Sequence, residues 1–207
     1  MQTGIIDRVY GKYTKAPRPR LEAFKQTLKA LDAANIAGDV VECGVWKGGH
    51  IIIARHVAPQ RRCWLFDTFD GMTRPGKHDG EKAQAHWIGK HGRKWAAVSE
   101  AEVLHHLNYE HAYDPDLITF VAGDVRQTLH GDRLPDQIAL LRLDTDFYDS
   151  TKIELEVLWP RIVRGGILIV DDYGHWPGCK KACQDYFGDK IKHFEPIDYT
   201  AVQMVKP

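Results

Sequence analysis

Apolar positions change their period along the chain, and the changes mark the elements. Leu21, Phe24, Leu28 and Leu31 recur at the spacing of one helix face, so the pattern predicts a helix over residues 20–34. Asp39-Val-Val-Glu-Cys-Gly44 is a short apolar run closed by a glycine and reads as a buried strand, with residues 50–57 as the helix after it. Cys63-Trp-Leu-Phe-Asp67 reads as a second strand, ending on an acid. Residues 117–122, 138–144 and 166–172 give three more strands of the same kind. Ser99 with Glu102, and Thr151 with Glu154, have the spacing of a capping box, which opens helices over residues 100–110 and from 151 to about 159. Residues 178–187 read as a further helix, and the β-rich pieces around Pro196 and Asp198 predict a terminal hairpin whose last strand lies near residues 201–206. Residues 71–95 carry glycines and a proline and read as a mobile stretch. Together with the helix that follows they make a lid-like insertion over about residues 71–116, and residues 1–37 form an N-terminal arm and helix.

Strand alternating with helix implies an α/β domain, a parallel sheet covered on both faces, and the length suits one domain over residues 1–207. Ligands of such sheets bind beyond the carboxyl ends of the strands. Glu42, Asp67, Asp144, Asp171 and Asp172 all lie at or near predicted strand ends, and Asp124 follows the third strand just after Gly123. These acids are expected to converge on one rim.

Composition narrows the classes. Lysine plus arginine equals aspartate plus glutamate at 28 each, so the formal net charge is zero, and a general nucleic-acid binder would need a basic surplus. The basic stretch GKYTKAPRPR, residues 11–20, reads as a solvated arm. No apolar run reaches the length of a membrane span, and MQTGIIDRVYGKY lacks the features of a signal peptide. Cys43, Cys63, Cys179 and Cys183 suit buried free thiols in a reducing cytosol, so a cytoplasmic protein is expected, with neither membrane nor nucleic acid as partner.

The chemistry sits in a few motifs. Val-Glu-Cys-Gly-Val-Trp-Lys-Gly-Gly, residues 41–49, has the glycines of a turn that lets backbone approach a ligand. A dinucleotide fingerprint needs a third glycine at the position Trp46 occupies, which disfavours a nicotinamide oxidoreductase. An acid just before the glycine suits a ligand bearing an ammonium and a sulfonium better than a pyrophosphate. Asp67 is placed to accept both ribose hydroxyls of an adenosine, without choosing between two adenosine cofactors, and equally to serve as a turn or helix-cap acid. Leu-Arg-Leu-Asp-Thr-Asp (residues 141–146) and Ile-Val-Asp-Asp-Tyr (residues 169–173) put carboxylates at adjacent strand ends, where they repel unless a cation joins them. Such oxygen donors suit magnesium, manganese or calcium. The alternative is that they are solvated loop acids or caps, with Asp149 and Ser150 better placed to cap the helix that follows.

VECGVWKGG, LFDTFDGM, LRLDTDFYDST and GGILIVDDYGHWPGCKKA together resemble the macrocin O-methyltransferase family of bacterial natural-product tailoring enzymes, from about Lys12 to the C-terminus. The resemblance implies a class I methyltransferase fold, a Rossmann-like, mostly parallel sheet of seven strands with a C-terminal antiparallel hairpin. It also implies S-adenosylmethionine (SAM) as methyl donor, and magnesium (or manganese or calcium) holding an acceptor with vicinal hydroxyls on a sugar or glycosylated natural product. It makes Asp144, Asp171 and Asp172 the metal ligands and Asp146 the general base. It places Thr14, Glu42, Gly44, Asp67, Ser99 and Asp124 at the cofactor, with Asp144 close to it as well. A dimer or larger homo-oligomer is expected. The chain departs from the family where it carries His50 in place of a small hydroxyl residue. A catechol or phenol methyltransferase, or a non-catalytic SAM-binding domain, are the alternatives.

Other constellations carry less. His175, Cys179 and Cys183 have fourfold spacing, but Pro177 and Gly178 interrupt the run, so a zinc site is not expected. His105 and His106 read as surface positions. His175 alone follows the metal strand closely and is a candidate to touch substrate. Trp87 and Trp95, with His78, His86 and His91, give the insertion an aromatic character that suits a lid or plain packing.

Overall fold

Runs rich in Val, Ile, Leu and Phe build β1 (Asp39–Cys43), β2 (Cys63–Asp67), β3 (Ile118–Ala122), β4 (Ile138–Leu143) and β5 (Ile162–Val170), followed by β6 (Glu195–Pro196) and β7 (Val202–Val205). Between them lie α1 (Ile5–Val9), α2 (Arg18–Ala33), α3 (Gly49–Val57), α4 (Gly80–Gly89), α5 (Glu100–Tyr109), α6 (Val125–Thr128), α7 (Tyr148–Leu158) and α8 (Pro177–Phe187). This computed structural model describes residues 4–90 and 92–207, so His91 lies outside the described residues. The strands form one seven-stranded sheet in the order β3-β2-β1-β4-β5-β7-β6. β1 to β5 pair in parallel, and β7 runs antiparallel to both β5 and β6. The terminal hairpin expected from the tail is therefore present, with β7 inside the segment predicted for it.

Side chains alternate between the two faces of a strand, and two core clusters follow from that period. Val40 and Leu140 face the cluster that includes Leu21, Phe24 and Leu28 of α2 and Ile51 to Ile53 of α3. Val41 and Leu141 face the opposite cluster, with Leu155 and Leu158 of α7 and Cys179 and Cys183 of α8. The cysteines are thus core residues, as free thiols, and no zinc arrangement joins them to the exposed His175. Because α3 leaves β1 toward one face and α7 leaves β4 toward the other, adjacent strands part at their carboxyl ends and open a crevice between them.

Two expectations need correction. The helix after β4 starts at Tyr148, not Thr151; Thr151 and Glu154 lie inside it, fully buried, and neither caps it. Asp149 and Ser150 do not cap it either. The cap comes from Asp79, 69 residues upstream, whose Oδ1 accepts the Tyr148 N–H at 2.7 Å while its Oδ2 accepts Gly76 N–H at 2.6 Å. A capping box is a local signal; here a tertiary contact supplies the acceptor. That same contact orders part of residues 71–95, where α4 forms and buries Ala83. α5 starts as predicted, with Ser99 accepting the Glu102 N–H, and sends Val103 and Leu107 into the core.

Asp79 is fully buried, and the space it fills exists because residue 178 has no side chain: a Cβ at Gly178 would stand 1.7 Å from Asp79 Oδ1. Gly178→Ala should therefore expel the carboxylate and leave the Tyr148 N–H unpaired, at a cost of about 1–3 kcal/mol. A melting temperature equal to the parent's would show that Asp79 does not anchor this segment.

Candidate active site

The crevice between the ends of β1 and β4 opens into a cavity of about 290 Å³. Its floor is the joint between two turns. Asp144 N–H donates to the Cys43 carbonyl at 2.8 Å, and a Cβ on Gly44 would lie 2.0 Å from the Asp144 carbonyl oxygen. With φ at +86°, Gly44 is the residue this approach requires. Trp46 (φ +48°), Ala96 (φ +56°) and Asp146 (φ +68°) also line the cavity in left-handed conformations that ordinary residues avoid. Such outliers persist only where surrounding contacts fix them.

Asp67 holds the first turn. Its Oδ2 accepts Val45 N–H at 2.7 Å and Trp46 N–H at 3.0 Å, and its Oδ1 accepts Phe69 N–H at 2.9 Å. Burial pushes its carboxyl up against the pull of those donors. Asp67 is thus a turn acid that also lines the cavity; each oxygen already carries a backbone bond. Asp124 caps α6 and forms a two-oxygen pair with Arg126, Nε to Oδ1 at 2.9 Å and Nη2 to Oδ2 at 2.5 Å, which outweighs burial and lowers its pKa. Thr14 and its neighbours close over the start of α3, where a Cβ on Gly49 would meet the Tyr13 carbonyl at 2.7 Å. Ser99, by contrast, is exposed at the head of α5 and outside the cavity lining; its hydroxyl is spent on the cap.

Behind the turn lies a buried charge network. Glu42 faces Arg142 across β1 and β4 in register, with Arg142 Nη1 2.7 Å from Glu42 Oε1. His50 Nδ1 stands 3.2 Å from the same oxygen. Burial holds His50 neutral, with a pKa well below its usual value, and pushes Glu42 up to about 7 against Arg142. Glu42 Oε2 and His50 Nε2 are buried without a partner. Orphaned polar atoms of this kind are costly unless a ligand completes them, and both residues line the cavity. With the His50 proton on Nδ1 toward Glu42, both orphaned atoms are acceptors, which fits the ammonium of an amino-acid group.

The three aspartates do meet. Asp144, Asp171 and Asp172 each offer an oxygen within 4.8 Å of the others. They are not equivalent. Asp171 is clamped by Arg142, at 2.6 Å, and by Arg20, and these guanidiniums outweigh burial to hold its carboxyl below the usual range. Burial and neighbouring carboxylates raise Asp172 well above that range. Asp144 is also raised by burial, despite Arg142 at 3.0 Å, and keeps 30% of its side chain open to the cavity. Glu42, Asp144 and Asp171 pair with Arg142, and Asp171 and Asp198 with Arg20, so carboxyl groups outnumber guanidiniums here. The negative surplus and the all-oxygen donor set fit a hard divalent cation. Asp146 stands beside them, hydrogen-bonded to Asp172 and to Trp176, and burial pushes its carboxyl up to about 7.

A family model described as Macrocin-O-methyltransferase (TylF) matches residues 5–206. The chain belongs to this family. It is 35% identical over 172 residues to demethyldecarbamoylnovobiocin O-methyltransferase of Streptomyces niveus, covering 81% of this chain and 64% of that protein. It is 32% identical over 182 residues to 8-demethyl-8-(2,3-dimethoxy-alpha-L-rhamnosyl)-tetracenomycin-C 4'-O-methyltransferase of Streptomyces olivaceus, covering 85% and 68%. The solved structure of the O-methyltransferase NovP superposes with a TM-score of 0.83 at 31% identity over 94% of this chain and 82% of that one. The fold is the class I methyltransferase fold.

For this macrocin O-methyltransferase family member, sequence reasoning located the acids and missed their partners. Arg142 was legible in principle, as a lone cation inside an apolar strand. Arg20 was not: it comes from α2, 151 residues before the aspartate it holds, and also binds Asp198 at 2.7 Å and the Thr200 hydroxyl. Trp95 and Met72 join the two ends of the stretch 71–95 through a 2.9 Å backbone bond and line the cavity, while Trp95 packs against Trp176 and Phe147. His175 is exposed and outside the lining.

Proposed function

We propose that the protein is a SAM-dependent O-methyltransferase acting on a hydroxyl of a sugar or glycosylated natural product that carries a second hydroxyl beside it. The observation that carries this reading is one cavity bearing both the unpartnered Glu42 and His50 atoms and, across the Gly44–Asp144 joint, the three aspartate oxygens. The first set suits the amino-acid end of SAM; the second suits a divalent cation and an acceptor with two adjacent oxygens. The Streptomyces olivaceus relative, named for a rhamnosyl acceptor, supports the choice of a sugar hydroxyl.

When bound, SAM supplies an electrophilic methyl group and the cation lowers the pKa of an adjacent hydroxyl. Asp144, Asp171 and Asp172 would hold the cation. Asp146 accepts the acceptor's proton, with its carboxylate oriented by the Trp176 N–H. Asp67 fixes the turn at Val45 and Trp46 and presents its remaining lone pairs to the ribose. Trp95, backed by the buried Trp176, brings apolar surface to the cavity and excludes water.

Methyl transfer from labelled SAM to glycosides, nucleotide sugars and catechols tests the reading. Turnover of catechols alone would shift the acceptor to a phenol, and SAM binding without turnover of any diol would make the chain a binding domain. SAM should bind without added metal. Asp67→Ala should weaken that binding by more than about tenfold, roughly 1.4 kcal/mol; calorimetry giving an unchanged Kd would remove Asp67 from the cofactor site.

A further inference from the structure

Glu154 has no part in the chemistry described so far, yet its placement is unusual. It lies on the inner face of α7 with no exposed surface. Among the described residues no lysine, arginine or histidine forms an ion pair with it. The hydroxyl of Thr145 sits 2.9 Å and 3.0 Å from its two oxygens. The thiol of Cys43, at the end of β1, is its other hydrogen-bond neighbour. The charges that act on it most are both carboxylates, Asp144 at the end of β4 and Asp124 at the start of α6. From α8, Cys179 reaches only Thr151, one turn earlier on α7. A buried carboxylate among carboxylates, without a cation, does not persist in charged form.

Its partner gives this acid a task. Thr145 stands between Asp144 and Asp146, and the backbone there is bent so that Asp146 takes φ +68°. Backbone and side-chain donors already grip the turn: Phe147 N–H donates to the Thr145 carbonyl at 2.8 Å, and the Ser150 hydroxyl does so at 3.2 Å. Those bonds hold the main chain of Thr145. Among the described residues, Glu154 is the hydrogen-bond partner of its side chain, and through Cys43 it reaches the strand that carries the Gly44 turn.

We propose that Glu154 is a positioning residue of the catalytic turn, a buried acid that keeps its proton and, through Thr145, fixes the backbone on which Asp144 and Asp146 are mounted. The kinetic side of this rests on the reading of Asp146 as the base; the protonation of Glu154 does not. Burial first, then the two carboxylates, push its carboxyl up to about 8. Loss of the proton above that pH puts an uncompensated charge beneath the turn, so activity should fall on the alkaline side.

Two variants separate the outcomes. E154Q reproduces the neutral acid in shape and hydrogen bonding. E154L removes the bond to Thr145. E154Q should keep kcat within about threefold of the parent at pH 7 and lose the alkaline limb near pH 8. E154L should lower kcat at least tenfold at all pH values with the KM for SAM unchanged. The unfolded chain holds the Glu154 proton only below about 4.5 and the folded chain up to about 8. Between those values the unfolded state binds fewer protons, so the parent loses stability as pH rises. The melting temperature of E154Q should therefore pull ahead of the parent's from pH 5 to pH 9. A constant gap over that range would show that Glu154 is already ionised and overturn the inference. A widening gap with kcat unchanged in both variants would overturn the positioning role. If the parent methylates no acceptor, the proposed function has failed separately. Crystal structures then decide: E154Q should keep Asp146 near φ +68° and E154L should not, and retention of that φ in both sinks the proposal.

Discussion

Asp146→Asn is expected to lower kcat by roughly 10²- to 10⁴-fold, the usual worth of a positioned general base. The asparagine keeps the size of the side chain and can still take the Trp176 N–H, so the turn should hold and only the proton acceptor is lost. The magnesium concentration for half-maximal activity should stay nearly the same, because Asp146 lies beside the three proposed ligands rather than among them. SAM affinity should change little. The parent should show an acid limb, since Asp146 must be ionised to accept a proton and burial holds its carboxyl at about 7 in the absence of cations. Bound cations favour the ionised form, so added magnesium should move that limb to lower pH. If Asp146→Asn changes the metal requirement while Asp144→Asn does not, the two acids of the motif have exchanged roles. EDTA should abolish turnover and magnesium restore it; undiminished turnover in EDTA would leave the carboxylates to be explained without a metal.

The second large effect is on stability. Asp171→Ala should cost about 3 kcal/mol, because it strips a buried carboxylate from two guanidiniums. The figure sits at the low end for a broken buried pair since Arg20 keeps Asp198 and Arg142 keeps Glu42. For a chain of this length each kcal/mol shifts Tm by about 2–4 °C, so a fall of roughly 6–12 °C is expected. Asp172→Ala should do the opposite. Its strongest neighbours after burial are Asp146 and Asp171, both carboxylates, and removing it relieves repulsion. Its Tm should hold or rise while magnesium affinity, measured by calorimetry, falls. Equal melting temperatures for the two variants would show that the arginine clamp contributes nothing. The pH dependence follows in sign: Asp171, held low in the folded state, stabilises at neutral pH, and that stability is lost as pH falls through the acid range.

These variants follow from an inequality among the aspartates that their motifs conceal. In sequence, Asp171 and Asp172 are neighbours of one kind. In the fold, one accepts hydrogen bonds from two arginines and the other stands beside two carboxyl groups. Arg20 and Arg142 therefore hold together the carboxylates proposed as metal ligands.

The sequence by itself determined the elements that depend on local period and on the chain's own chemistry. Apolar runs closed by an acid or a glycine specified β1, β2 and β4 almost to the residue, because a strand buried on both faces needs such a run and little else. The alternation of strand and helix specified a parallel sheet, and a parallel sheet brings its strand ends, with Glu42, Asp67, Asp144, Asp171 and Asp172, to one rim. Only the tertiary structure decided which partner each acid meets. The Tyr148 cap came from Asp79, the clamp on Asp171 from Arg20, and the partner of the Thr145 hydroxyl from Glu154, which the local spacing had marked as half of a capping box. Each pairing joins residues far apart in the chain or on different elements, and its energy depends on burial and on which opposite charge is within reach. No window of sequence contains those quantities; they exist once the chain has closed around the site.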